Sequence, residues 1–151
     1  MVTPPSVRPF LAAGAVAIVA GGIAAALTGP TGWGRGSWVA AFLVLVAGVG
    51  QIGLGAGQAM LADDPPSRRL LGAQVGLLNG GALTVLAGAL LSRPVLVSTG
   101  GVVLVGALVS FRRPWDGRRR RPSWSGRAYD ALLLMLLVST PVGVVLSWVR
   151  A

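Results

Sequence analysis

Long apolar runs alternate with short polar turns along the whole chain. Five such runs occur, at 10–27, 38–62, 70–91, 95–111 and 128–149. A helix needs about 20 largely apolar residues to cross the ~30 Å hydrocarbon core of a bilayer. Open strands leave backbone groups unpaired in lipid, so each run is predicted as a helix. The pattern therefore predicts an all-α integral membrane protein, a single domain over 1–151 built as a compact bundle of five transmembrane helices.

Two of the runs allow a second interpretation. The run 95–111 is short, at 17 residues, and it contains the polar and small residues 98–101. If it does not cross, four spans remain, 70–111 forms a re-entrant hairpin and the last helix reverses direction. The first run contains Ala24, Ala25 and Ala26, a small-residue pattern typical of signal-peptide cleavage sites. A cleaved signal peptide is therefore the alternative for this run, and it would also leave four spans.

The distribution of positive charge gives the bundle an orientation. All 13 basic residues are arginines, and a five-span arrangement puts ten of them on one side. Only Arg35, Arg93 and Arg150 fall on the other side. Because arginine accumulates in cytoplasmic loops, the amino terminus is predicted to be cytoplasmic and the carboxyl terminus to lie outside. If the run 95–111 does not cross, Arg150 moves to the cytoplasmic side; cleavage of the first run leaves the orientation unchanged.

Seven of these arginines lie in one loop, 112–127, together with two tryptophans. Arginines beside an anionic leaflet are attracted to headgroups, and tryptophan favours the same interfacial region. The loop is therefore expected to contact anionic lipid, with an acidic or phosphorylated protein as the alternative. No groove-reading element accompanies the charge, so no nucleic-acid partner is expected. The lipid-contact or partner-contact residues are Arg112, Arg113, Arg118, Arg119, Arg120, Arg121 and Arg127.

Composition agrees with membrane residence and excludes much chemistry. The chain is 54% hydrophobic and 11% charged, with no cysteine, histidine or glutamate. It therefore lacks a thiolate nucleophile and any imidazole for metal, haem or general-base work. We expect no catalytic, cofactor or metal site, and no enzyme activity. Asp130, near the start of the last run, is the one carboxylate that is a candidate titrating group in the membrane, but a local pair with Arg127 or interfacial snorkelling is the simpler explanation and the one we favour.

Small and amide-bearing residues mark the helix faces that pack. In the second run, Gly48 and Gly55 share one helical face with Gln51 and Gln58, while other glycines crowd the opposite face. In lipid, helices associate through close contact at small residues and through amide hydrogen bonds. We therefore expect the second helix to be central and packed on both sides.

The third run repeats the pattern with a GxxxGxxxG ridge formed by Gly72, Gly76 and Gly80. Asn79 lies on the same side, and Gln74 on the other. The short connection makes the second and third helices antiparallel neighbours. This arrangement predicts an intramembrane polar cluster of four amides: Gln51, Gln58, Gln74 and Asn79.

These amides support a structural and a functional interpretation. As structural groups they would hydrogen-bond between helices; as functional groups they would line a path for a polar solute. The leading expectation is a non-catalytic accessory or scaffolding subunit that associates through its glycine-rich faces in a homo- or hetero-oligomer. The alternative is a small oligomeric carrier or channel for a polar or amphipathic solute. The richness in Ala, Gly, Val and Arg without Lys indicates a high-GC bacterium and hence the plasma (inner) membrane.

Overall fold

Every element that the computed structural model describes, over residues 6–61, 66–112 and 124–149, is helical. The all-helical prediction is thereby confirmed for these ranges. Four of the five helices, all but α4, are long and apolar enough to cross a membrane. The helices are α1 (Arg8–Thr31), α2 (Gly36–Leu61), α3 (Arg68–Leu90), α4 (Pro94–Ser110) and α5 (Trp124–Val149).

The helix ends follow from local sequence. Gly32 ends α1 in the left-handed conformation with φ 64°, and its N–H bonds to the Gly29 carbonyl at 3.3 Å. Ser67 caps the start of α3, where its hydroxyl accepts from the Leu70 N–H at 3.2 Å. Pro94 opens α4, a position at which the missing N–H costs nothing.

A π-helical segment, Phe42–Gly50, interrupts α2. Its wider turns are rare in proteins and often occur at functional sites. The segment carries glycines towards two different neighbours: a Cβ placed on Gly48 would meet Ile18 of α1, and one on Gly50 would meet Leu136 of α5. The amphipathic pattern of the sequence did not predict this segment.

The bundle is built from two antiparallel hairpins, α1–α2 and α3–α4, whose helices touch at glycines. A Cβ on Gly14 would lie 3.0 Å from the Gly48 carbonyl oxygen of the neighbouring helix. In the second hairpin, a Cβ on Gly100 would lie 2.8 Å from the Gly81 carbonyl oxygen. Both hairpins therefore bring backbone against backbone, the contact that small residues permit in membranes.

The central position expected for α2 is confirmed. On one face, Gly55 lies against the ring of Phe10 in α1; on the other, Gly53 and Gly57 lie against Leu132 and Tyr129 of α5. The partner on the first face is α1, however, and not α3 as expected. The close glycine approach between α1 and α2 occupies the face that the sequence had assigned to α3.

The glycine ridge of α3, formed by Gly72, Gly76 and Gly80, is exposed. A Cβ on any of the three would have no atom of the described chain within 4 Å. The sequence predicts these three glycines as helix-packing residues, and none of them packs against another helix of the described chain. The physical reason is that the inward face of α3 belongs to Gly81 and Gly88, which accept the close approach of α4.

Helix α4 runs beside its neighbours from one end to the other. The Trp148 indole N–H of α5 donates to Ser98 Oγ at 3.0 Å, and the Tyr129 hydroxyl donates to the Phe111 carbonyl at 3.4 Å. These contacts lie at opposite ends of both helices. The 17 residues of α4 extend over about 25 Å as an α-helix.

Candidate functional site

Three glutamines are the buried polar residues of the described chain. Gln51, Gln58 and Gln74 expose 2%, 1% and 0% of their surfaces. Asn79, the fourth predicted member of the amide cluster, is only partly buried. The structure therefore gives the four amides two different environments.

Helix α2 positions two of the glutamines. Gln51 directly follows the π-helical segment, and Gln58 comes seven residues later, about 10 Å further along the helix axis. Gly55 lies between them in sequence, and its lack of a side chain leaves room for the Phe10 ring. The α1-facing side of α2 thus carries an amide, an aromatic contact and a second amide in succession.

Helix α3 positions the third glutamine towards the end of α4. The Gln74 Nε2 donates to the Ser110 carbonyl at 3.4 Å. The next residue, Phe111, packs edge-to-face on Phe10 with ring centroids 5.8 Å apart. The Phe10–Phe111 pair therefore connects the surroundings of Gln74 with the face of α2 that carries the other two glutamines.

Most of the polar atoms in these side chains lack hydrogen-bond partners. Within the described residues, Gln51 Nε2, both terminal atoms of Gln58 and Gln74 Oε1 are buried and unpaired. Asn79 instead donates from Nδ2 to the carbonyl of Val75, 2.8 Å away on its own helix. Of the four amides, only Gln74 forms a hydrogen bond to another helix within the described chain.

No family model, no curated protein and no solved structure matches the chain. The proposed function therefore rests on the geometry of the described residues.

The charged candidates that the structure describes are exposed. Arg112, Arg127 and Asp130 are exposed at the ends of α4 and α5. Among the described residues, no group of three acidic, histidine or cysteine side chains is placed to hold a metal ion. The remaining loop candidates lie outside the described residues: Arg113, Arg118, Arg119, Arg120 and Arg121.

The glycine ridge of α3 forms a second candidate surface. Arg68 and Arg69, four and three residues before Gly72, lie on the same side of the helix and are exposed. The surface thus combines three small residues in register with two positive charges at the amino-terminal end. The sequence predicts the glycines as packing residues without a named neighbour, and it gives no signal that the two arginines belong to the same surface.

Proposed function

We propose that this protein is a non-catalytic accessory or scaffolding subunit that binds a transmembrane helix of another membrane protein along the glycine ridge of α3. The observation that carries the proposal is that Gly72, Gly76 and Gly80 are aligned, exposed and contact no other helix of the described chain. Glycine is about 1 kcal/mol worse than alanine within a helix. Contact with a partner backbone, which only small residues permit, offsets that cost.

The charges beside the ridge favour a foreign partner over a second copy. Two copies inserted in the same orientation would meet with their ridges parallel. Arg68 and Arg69 of both copies would then crowd the same end, and like charges oppose such a contact. A helix with small residues and an acidic residue at the matching end fits the surface better.

We further propose five crossings of a bacterial plasma membrane, with the amino terminus in the cytoplasm. The contacts at both ends of α4 support a full crossing by this helix, and the arginine distribution supports the orientation. In this arrangement the loop 112–127 lies against the anionic leaflet. Its partners are lipid headgroups and no nucleic acid is involved.

A cysteine-free chain allows a direct test of the ridge. Gly72→Cys and Gly76→Cys are each expressed in the native membrane and cross-linked, and the products are identified by mass spectrometry. Both should capture the same foreign membrane protein. The matched control is Gly22→Cys on α1, an exposed glycine whose added Cβ would also meet nothing within 4 Å, and it should not capture that protein.

Two further substitutions test partner binding at the ridge, one by adding bulk and one by reversing a charge. Gly76→Leu should remove the partner from the complex seen by native mass spectrometry after detergent extraction, while Gly22→Leu retains it. Arg69→Glu should weaken the complex, and exchanging the acidic residue of the identified partner for arginine should restore it. Cross-links between copies of this chain alone, or equal capture from Gly22→Cys, would refute the subunit assignment.

A further inference from the structure

Helix α5 is attached to the bundle differently at its two ends. Near its start, the Tyr129 ring lies against a glycine of α2, and the Tyr129 hydroxyl donates to the Phe111 carbonyl of α4. Beyond Pro141, Val144 lies against Gly101 of α4. We call the part of α5 that follows Pro141, residues 142–149, the terminal segment.

Burial is confined to the first part of α5. Tyr129, Leu133 and Leu136 are its buried residues, and none of the described residues from 137 to 149 is buried. In lipid, an apolar side chain loses little by leaving a neighbouring helix, because acyl chains are as apolar as the helix surface. The terminal segment is therefore held weakly, since few buried contacts mean low local stability.

The residues just before and within the terminal segment weaken the helix. Pro141 has no N–H for the helical hydrogen bond to the carbonyl four residues earlier. The hydroxyls of Ser139 and Thr140 both donate to the Leu136 carbonyl, at 3.1 and 2.8 Å, and such bonds commonly bend helices. Gly143 is a poor helix former, yet a Cβ there would meet nothing within 4 Å, so packing against the described residues does not require glycine.

One side-chain hydrogen bond links the terminal segment to another helix of the described chain. The Trp148 indole N–H donates to Ser98 Oγ of α4 at 3.0 Å, and this bond is exposed. Ser147, in contrast, bonds to the Val144 carbonyl of its own helix at 2.7 Å. The far end of α5 thus depends on the Trp148–Ser98 bond.

From these observations we infer that the terminal segment is a strap that moves away from α4 about Pro141 and closes again when Trp148 bonds to Ser98. In the closed position Val144 covers Gly101; in the open position this small-residue face of α4 is uncovered. The inference concerns a motion within the bundle and does not depend on the glycine ridge of α3.

Distances between spin labels in liposomes test the strap on the whole chain. The chain has no native cysteine, so Val102→Cys on α4 and Leu146→Cys on the strap give one labelled pair, both at exposed positions. This pair should show two distances, one closed and one longer. The control pair is Val102→Cys with Met135→Cys, which is also exposed but lies before Pro141, and it should show one distance.

Substitutions in the 102–146 pair identify the hinge and the closing contact. Trp148→Phe should raise the ratio of open to closed by about fivefold, the effect of losing one hydrogen bond. Trp124→Phe, at the exposed start of α5, is the matched control and should leave the ratio unchanged. Pro141→Ala restores the backbone N–H and should shift the pair towards the closed distance.

Three outcomes would overturn the inference. One is a single distance for the 102–146 pair that Trp148→Phe does not change. Another is equal broadening in the control pair, which would mean that α5 moves as a whole. The third is an open share that Pro141→Ala leaves unchanged, because the motion would then have no hinge at this residue.

Discussion

Arg35 of the α1–α2 turn caps the carboxyl end of α3 by donating from Nη1 to the Ala89 carbonyl at 2.7 Å. The same nitrogen reaches the Leu90 carbonyl at 2.8 Å, and Nη2 reaches Ser92 Oγ at 2.8 Å. The last carbonyls of a helix lack intrahelical partners and carry partial negative charge, which a guanidinium complements. A residue of the first hairpin thus fixes the end of a helix in the second.

This contact predicts a loss of stability when the guanidinium is removed. Arg35→Met should lower the free energy of unfolding by about 1 kcal/mol, since hydrogen bonds to charged groups contribute measurably even at partly solvated positions. Thermal unfolding in detergent would measure the change. Arg93→Met is the control, because the Arg93 side chain forms no hydrogen bond with the described residues; an equal loss there would contradict the capping role.

The α3–α4 contact predicts opposite effects for two alanine substitutions on α4. A Cβ on Gly100 would lie 2.6 Å from the Val85 backbone nitrogen, so Gly100→Ala must push the helices apart, at about 1–3 kcal/mol. Gly106→Ala meets nothing within 4 Å and should be neutral or stabilising by up to about 1 kcal/mol. Urea or thermal unfolding compares the two. Equal effects would show that backbone contact does not set the helix spacing.

The sequence was sufficient to predict the helices, but it was not sufficient to predict which face of each helix points into the bundle. Apolar runs of membrane length leave helix as the solution in lipid, and the described helices overlap all five runs. The direction in which the face of Gly72, Gly76 and Gly80 points could not be predicted, because a small-residue face serves equally well for a neighbour within the chain, for a partner helix or for lipid. Only the observed approach of Gly81 to Gly100 shows which face of α3 is internal.

The positions of the amide side chains were also only partly predictable from the sequence. Amide side chains avoid lipid, so glutamines of an apolar helix are expected to point inwards, and three do. Asn79 does not join them because its shorter side chain reaches the Val75 carbonyl of its own helix. The Phe10–Phe111 pair that connects the glutamine surroundings joins residues 101 positions apart in the sequence, and no local pattern predicts such a contact.

Topology gives a prediction about α4. If this helix crosses the membrane, Leu91→Cys before it and Arg112→Cys after it should react with an impermeant maleimide from opposite sides. Both positions are exposed in the structure. A reporter fused after Ala151 should be active only outside. Labelling of both cysteines from one side, or cytoplasmic activity of the reporter, would favour four spans.

The hydrogen bond between Trp148 and Ser98 predicts a coupling between α4 and α5. Trp148→Phe and Ser98→Ala each remove one partner of the 3.0 Å contact, so each should cost about 0.5–1 kcal/mol. The double variant should cost little more than either single variant, because both changes remove the same interaction. Unfolding of the four proteins of this cycle in detergent gives the coupling. Strictly additive losses would show that the hydrogen bond contributes nothing.

Solute flux tests the carrier alternative. If the intramembrane amides line a path for a polar solute, liposomes containing the protein should release acetamide faster than empty ones. Gln51→Leu combined with Gln58→Leu removes the buried donors and the Gln58 acceptor at similar volume, and it should reduce release to the level of empty liposomes. Asn79→Leu should leave release unchanged, since that amide is bonded within α3. Release that persists in the double variant would rule out these amides as the path.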